Sequence, residues 1–138
     1  MSFKATWMSG FTVLLVDDEE DFLETLAERL RVRDLDVRTA TTGEEALDVL
    51  GEREADVVIL DVRLPGMNGI QVLEKIKERF PSIEVVILTG YADAETAIRV
   101  MELGAFDYLI KPVAIDELLY RLQDAHRKKA LREQESGN

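Results

Sequence analysis

The sequence contains no cysteine, one histidine (His126) and no apolar run long enough to cross a membrane. The missing cysteine excludes disulfides, thiolate metal sites and thiol nucleophiles. A lone histidine excludes histidine-rich metal centres and histidine-based triads, and its polar surroundings predict an exposed ring. Basic residues are also scarce. With 17 Lys and Arg against 28 Asp and Glu, the net charge is -11. A chain so acidic is repelled by phosphate backbones, and its only basic cluster, Arg127-Lys128-Lys129, is short. Direct binding to nucleic acid is therefore not expected, and neither is a membrane role. The N-terminus lacks the basic-then-apolar pattern of a signal peptide, which with the absent cysteine fits the cytoplasm.

What is present is one domain's length of chain, 138 residues, with an ordinary apolar content. Five short apolar runs alternate with helical patterns. The runs are Thr12–Val16, Leu35–Ala40, Val57–Leu60, Val85–Leu88 and Phe106–Ile110. Between them, apolar residues recur at helical spacing: Phe22, Leu26 and Leu30 in the first segment, Leu73, Ile76 and Phe80 in the third, Ile115, Leu118, Leu119 and Leu122 in the last. Thr42-Gly43-Glu44-Glu45 reads as a capping box, Asn68 as a cap for the third helix, and Pro81 as that helix's exit.

Strict alternation of strand and helix implies parallel strands joined by right-handed crossovers, with helices on both faces. "VVIL" is apolar without alternation, as a strand buried on both sides should be. The expected fold is α/β, a doubly wound, flavodoxin-like sheet of five parallel strands in the order 2-1-3-4-5 with five flanking helices. The domain is expected over Phe11–His126. Met1–Gly10 reads as an extension foreign to the domain, and Arg127–Asn138 as a polar tail or the start of a helical linker.

In such a sheet the ligand site lies beyond the carboxyl ends of the strands, where the strand order reverses. The first strand ends in Asp17 and Asp18, the third in Asp61, the fourth in Thr89 and the fifth in Lys111. Three carboxylates therefore share one crevice and cannot all stay ionised without a cation. Lys111 is one offset. A hard divalent ion held by oxygen is another, and Mg²⁺ favours a few carboxylates and retained waters. Each Asp taken alone reads as a turn or helix cap; the set reads as a site. The run "LLVDDEED" divides accordingly. Asp17 and Asp18 belong to the crevice, while Glu19, Glu20 and Asp21 open a helix whose N-terminal dipole favours negative charge.

At these residues the sequence resembles the receiver domain of bacterial two-component response regulators. The pieces that carry the resemblance are "LLVDDEEDF", "VVILDVRLPGMNGIQVL", "VVILTGYAD" and "GAFDYLIKP". The last is similar to receivers attached to enhancer-binding transcription activators. The resemblance implies that Asp61 accepts a phosphoryl group from a sensor histidine kinase or a phosphotransfer protein, forming an acyl phosphate. It implies Mg²⁺, for which Mn²⁺ can substitute, on Asp18 directly, Asp17 largely through water, Asp61 and the backbone carbonyl of Arg63. Lys111 and the Thr89 hydroxyl would bind phosphoryl oxygens, and the peptide between Lys111 and Pro112 would be cis. Thr89 and Tyr108 would form the switch, with Tyr108 moving into space vacated as Thr89 turns toward the phosphate.

Gly90 leaves room beside Thr89, and "LPGMNG" supplies a turn that keeps Asp61 accessible. Arg63 and Tyr91 fall at positions that vary across the family, beside the route of the hydrolytic water. The expected output is a change in the α4-β5-α5 face, acting on an output domain or downstream protein, with a phosphorylation-dependent homodimer as one form. On this reading the chain modifies only itself and is not an enzyme on external substrates. A phosphatase or mutase with an Asp nucleophile usually carries a second Asp two residues later, where Arg63 stands here. A pseudo-receiver that never turns over phosphate is the alternative, and such modules typically lack an acid or the lysine.

Overall fold

The computed structural model describes residues 10–136. Its elements follow in strict alternation: β1 (Thr12–Val16), α1 (Glu20–Val32), β2 (Asp36–Ala40), α2 (Gly43–Glu52), β3 (Val57–Leu60), α3 (Gly69–Arg79), β4 (Glu84–Thr89), α4 (Ala94–Glu102), β5 (Asp107–Ile110) and α5 (Ile115–Ser136). All neighbouring strands pair in parallel, in the order β2-β1-β3-β4-β5. The doubly wound α/β expectation holds, and each predicted strand lies within about a residue of its observed position.

Alternate residues of each central strand feed two cores. Leu14 and Val16 of β1, Val58 and Leu60 of β3, and Val85 and Ile87 of β4 face α2, α3 and α4. Val13 and Leu15, Val57 and Ile59, and Val86 and Leu88 face α1 and α5. Burying such a side chain contributes roughly 1.5–3 kcal/mol, so the central strands anchor both layers. Every residue of β3 and β4 is buried.

The helix starts are built locally. The Asn68 side chain accepts from Gln71 N–H at 3.0 Å and the Gln71 side chain accepts from Asn68 N–H at 3.0 Å, a complete capping box for α3. At α2 only half of the predicted box forms. Thr42 Oγ1 accepts from Glu45 N–H at 3.1 Å, but the Glu45 carboxylate accepts from Thr41 N–H, one residue too early.

Two terminal expectations need correction. Residues 127–136 are helical, a continuation of α5, which differs from a loose polar tail and agrees with the helical alternative. His126 is half-buried, its ring stacked on Phe11 with centroids 4.4 Å apart, because α5 passes beside the start of β1. The expected N-terminal extension, save Gly10, lies outside the described residues.

Candidate functional site

The sheet's own hydrogen bonds continue one residue past the strands and set the site. Asp17 N–H donates to the Ala40 carbonyl at 3.1 Å, Asp61 N–H to Val16 at 3.1 Å and Lys111 N–H to Thr89 at 2.8 Å. The backbones of Asp17, Asp61 and Lys111 are thus fixed by the same ladders that hold the strands. The side chains of all three converge, with Thr89, in the crevice between β1 and β3.

Asp61 is buried and multiply bonded. Its Oδ1 accepts from the Thr89 hydroxyl at 2.7 Å and from Arg63 N–H at 3.0 Å, and its Oδ2 lies 3.3 Å from Lys111 Nζ. Lys111 is closer to Asp17, at 2.7 Å from Oδ2. It also stands 4.1 Å from the centre of the Phe22 ring, a cation–π contact that the sequence did not disclose. Burial pushes the Asp17 carboxyl above the usual carboxylate range, although Lys111 and the Glu19 N–H pull it down. For Lys111, burial pulls the ammonium down, but Asp17 and Asp61 outweigh it and leave it raised. Lys111 is therefore a fixed positive charge in the crevice.

The acidic run requires a correction. The sequence places Glu19 at the helix start alone, and it is the N-cap residue of α1, yet its side chain makes no cap bond. Instead its Oε1 reaches to 3.4 Å from Lys111 Nζ. Oxygens of Asp17, Glu19 and Asp61 lie within 4.8 Å of one another, a cluster that can hold a metal ion. Asp18 is exposed and lines the cavity without joining that trio. The reason is the chain's turn out of β1. Asp17 points inward to accept the Glu19 N–H at 2.9 Å, which turns Asp18 outward and brings Glu19 back over the crevice. All the donors are carboxylate oxygens, the chemistry that suits a hard divalent cation.

A cavity of about 290 Å³ opens above Asp61, lined by Asp18, Glu19, Asp61, Arg63, Thr89, Gly90 and Tyr91. The Arg63 guanidinium lies 3.8 Å from the Tyr91 ring centre, so the two side chains form one stacked pair on the rim. A Cβ on Gly90 would meet no protein atom; the room it leaves belongs to the cavity and is not demanded by packing. Gly69, beside the acceptor loop, is a glycine that packing does demand. A Cβ there would lie 2.3 Å from the Asp61 carbonyl oxygen and 2.5 Å from Val62 Cα, so only glycine lets α3 approach the Asp61 loop.

Thr89 does more than face Asp61. Its Oγ1 accepts from Tyr91 N–H at 3.2 Å, and the Tyr91 carbonyl accepts from the Tyr108 hydroxyl. The Thr89 hydroxyl in this structure faces Asp61. An ionised carboxylate is acceptor enough to draw it there. The peptide between Lys111 and Pro112 is cis. On the expected output face, Ile98, Met101, Ile110 and Tyr120 are exposed, while Asp107 and Arg121 pair with each other at 2.9 Å.

The sequence pattern of the response regulator receiver domain matches residues 13–123. The chain belongs to that family. It is 40% identical to the DNA-binding transcriptional regulator NtrC of Klebsiella pneumoniae over 103 residues, which are 75% of this chain and 22% of that protein. Against the regulatory protein AtoC of Escherichia coli it is 33% identical over 122 residues, 88% of this chain and 26% of that one. The chain thus spans about a quarter of the length of these curated relatives.

Among solved structures, a receiver domain protein from Clostridium thermocellum superposes with a TM-score of 0.83 at 36% identity, covering 88% of this chain and 98% of that one. NtrX of Brucella abortus superposes with a TM-score of 0.87 at 31% identity, covering 92% of this chain and 29% of that one. Among the described residues of this receiver, no helix is long and apolar enough to cross a membrane.

Proposed function

We propose that this receiver is a phosphorylation-activated switch of a two-component phosphorelay, with Asp61 as its phosphoacceptor. The observation that carries the reading is the environment of that carboxylate. It is buried at the end of β3, below an open cavity, with Thr89 O–H and Lys111 N–H donors both aimed at it. A carboxylate oxygen of Asp61 attacks the phosphorus of a phosphohistidine, the P–O bond forms, and the imidazole nitrogen leaves with the electrons of the P–N bond. The donors that now hold the carboxylate are within reach of the incoming phosphoryl oxygens, so catalysis is positioning and charge neutralisation.

Asp17 and Asp61 would hold Mg²⁺ or Mn²⁺, with Asp18, Glu19 and the Arg63 carbonyl as neighbouring oxygen donors. When bound, the ion neutralises charge that builds on the phosphoryl oxygens. Lys111 supplies a fixed positive charge on the Asp17 side.

The partners on this reading are a sensor histidine kinase or phosphotransfer protein on the input side and an output domain or downstream protein on the other. The kinship with NtrC, a DNA-binding transcriptional regulator, favours control of transcription through such an output. The receiver turns over no external substrate; it accepts a phosphoryl group and slowly loses it to water. The cytoplasm is the compartment that fits this role.

Incubating the parent and Asp61→Asn with Mg²⁺ and acetyl phosphate, then weighing each intact, tests the assignment. The parent should gain the mass of one phosphoryl group and the variant none. Equal labelling of the two would remove Asp61 from the role.

A further inference from the structure

The end of the sheet opposite the crevice carries a second charge constellation that phosphorylation chemistry does not use. Glu84, the first residue of β4, is fully buried, and neither of its carboxylate oxygens has a hydrogen bond of good geometry. Its charge is balanced by proximity: Arg132 Nη2 lies 2.7 Å from Oε1 and Lys128 Nζ 3.9 Å from Oε2. Arg132 also donates to the Pro81 carbonyl at 3.1 Å. Asp56, immediately before β3, accepts from Thr12 N–H at 2.9 Å and lies 3.2 Å from Lys129 Nζ.

All three cations sit on α5 beyond His126. Off the helix they meet Asp56 just before β3, the Pro81 carbonyl in the loop before β4, and Glu84 at the start of β4. Lys129 also pairs with Glu133 one turn on along α5. The apolar seam of α5, by contrast, ends early. Leu118, Leu122 and Ala125 are its fully buried residues, while Ala130 and Leu131 are exposed. The first half of the helix is therefore held by apolar burial and the second half by charge. These are different kinds of attachment. Helix ends held mainly by polar contacts open at lower free energy than the packed core.

We propose that residues 127–136 form a releasable arm, closed onto the N-terminal ends of β3 and β4 by an ionic latch of Lys129 with Asp56 and Arg132 with Glu84. Closed, the latch makes α5 one continuous rod over the face of β3 and β4. Open, it frees the basic segment from Arg127 to Arg132 and uncovers Glu84, while the two cores stay intact. The latch stands at the far ends of the strands that carry Asp61 and Thr89, so its opening does not disturb the crevice.

Residue-resolved amide hydrogen exchange on the full chain tests this. The double variant Lys129→Ala with Arg132→Ala removes both cationic members while alanine keeps full helix propensity. Glu133→Ala removes only the i,i+4 partner of Lys129, so loss beyond that of Glu133→Ala reports the latch. Protection of the amides from Lys129 to Glu135 should fall by about tenfold or more, since a buried carboxylate loses its partner. Protection in β3, α3 and β4 should hold. Arg127→Ala, which removes a cation paired with Asp124 on the same helix, should leave the arm's protection near the parent's. Unchanged protection in the double variant, or an equal fall in Arg127→Ala or Glu133→Ala, would overturn the latch. Loss spreading through β3 and β4 would show that the arm belongs to the cooperative core and is not releasable.

Discussion

The Thr89 hydroxyl donates to Asp61 Oδ1 at 2.7 Å, joining the ends of β4 and β3 across 28 residues of sequence. Through Tyr91 the same hydroxyl is tied to Tyr108 on β5. The acceptor carboxylate, the loop after β4 and the aromatic ring on β5 therefore form one hydrogen-bonded line. On the proposed function, a change of charge or shape at Asp61 should be felt first along it.

Thr89→Ala cuts that line at its middle. Moving a two-state equilibrium from 1:99 to 99:1 takes roughly 5.5 kcal/mol of differential affinity. One hydrogen bond to a charged group supplies about 1.5–3 kcal/mol, so Thr89 and Lys111 must act together for a full shift. The variant should still accept a phosphoryl group at Asp61, more slowly, and should lose much of the response beyond it. NMR spectra with beryllofluoride and Mg²⁺, which stand in for the phosphoryl group, check this. Parent-like shifts in α4 and β5 of Thr89→Ala would refute the coupling, and Thr89→Ser, which keeps the hydroxyl, should retain it.

The fold was legible because its signals are short in range. Strand and helix periods, the apolar "VVIL" and the cap at Asn68 each report local physics. The site residues at strand ends were legible for the same reason, since a parallel sheet places every strand end on one rim. What the sequence hid depends on where a side chain goes after its backbone is placed. Glu19 reads as a helix-start acid, and only the inward turn of Asp17 brings it over Lys111. Phe22 reads as an ordinary apolar helix residue, and its contact with Lys111 spans α1 and the loop after β5. The charge-held half of α5 has no apolar period to announce that it docks.

The place of Glu19 makes a discriminating experiment on the metal. Family resemblance favours Asp18 as a direct ligand, whereas the tight oxygen cluster comprises Asp17, Glu19 and Asp61. Glu19 is 67% exposed, so its charge is well screened. Glu19→Gln should weaken Mg²⁺ binding by no more than about threefold, the size of a screened surface interaction. Asp18→Ala should remove most of the metal dependence and most phosphoryl uptake together. Titration followed by NMR gives both affinities. A larger loss in Glu19→Gln than in Asp18→Ala would transfer the ligand role to Glu19.

Asp17 links the site to pH. Burial is the main reason its folded-state pKa lies above the unfolded value, with Lys111 opposing. Its ionised form therefore costs the apo protein stability at neutral pH, and the cost is relieved as pH falls through the raised value toward the unfolded one, about 3.9. Lys111 stays protonated throughout this window, so it adds no slope. Asp17→Asn should be more stable than the parent at pH 7, and the gap should narrow as the pH is lowered toward 4, by urea denaturation without metal. A gap that widens on acidification would reverse the sign assigned to burial. The same variant should bind Mg²⁺ far more weakly.

Gly69 tests how closely the fold and the acceptor are joined. It is the first residue of α3, directly after the capping Asn68, and its N–H donates to the Val62 carbonyl at 2.9 Å. A methyl group there would lie 2.3 Å from the Asp61 carbonyl oxygen, a backbone atom that no side-chain rotation can move aside. Either α3 shifts away or the Asp61 loop does, and overpacking of this kind costs about 1–3 kcal/mol. Since the Asp61 backbone is also fixed by its bond to Val16, part of the shift must reach the carboxylate. Gly69→Ala should therefore lose stability and also slow phosphoryl uptake at saturating Mg²⁺. Leu73→Ala, a cavity in the core under the same helix, should cost about 2–5 kcal/mol but leave uptake near the parent's rate at temperatures where it is folded. Paired measurements of urea midpoint and initial labelling rate separate the two effects. If Gly69→Ala labels at the parental rate despite its lower midpoint, the close approach of α3 serves packing alone.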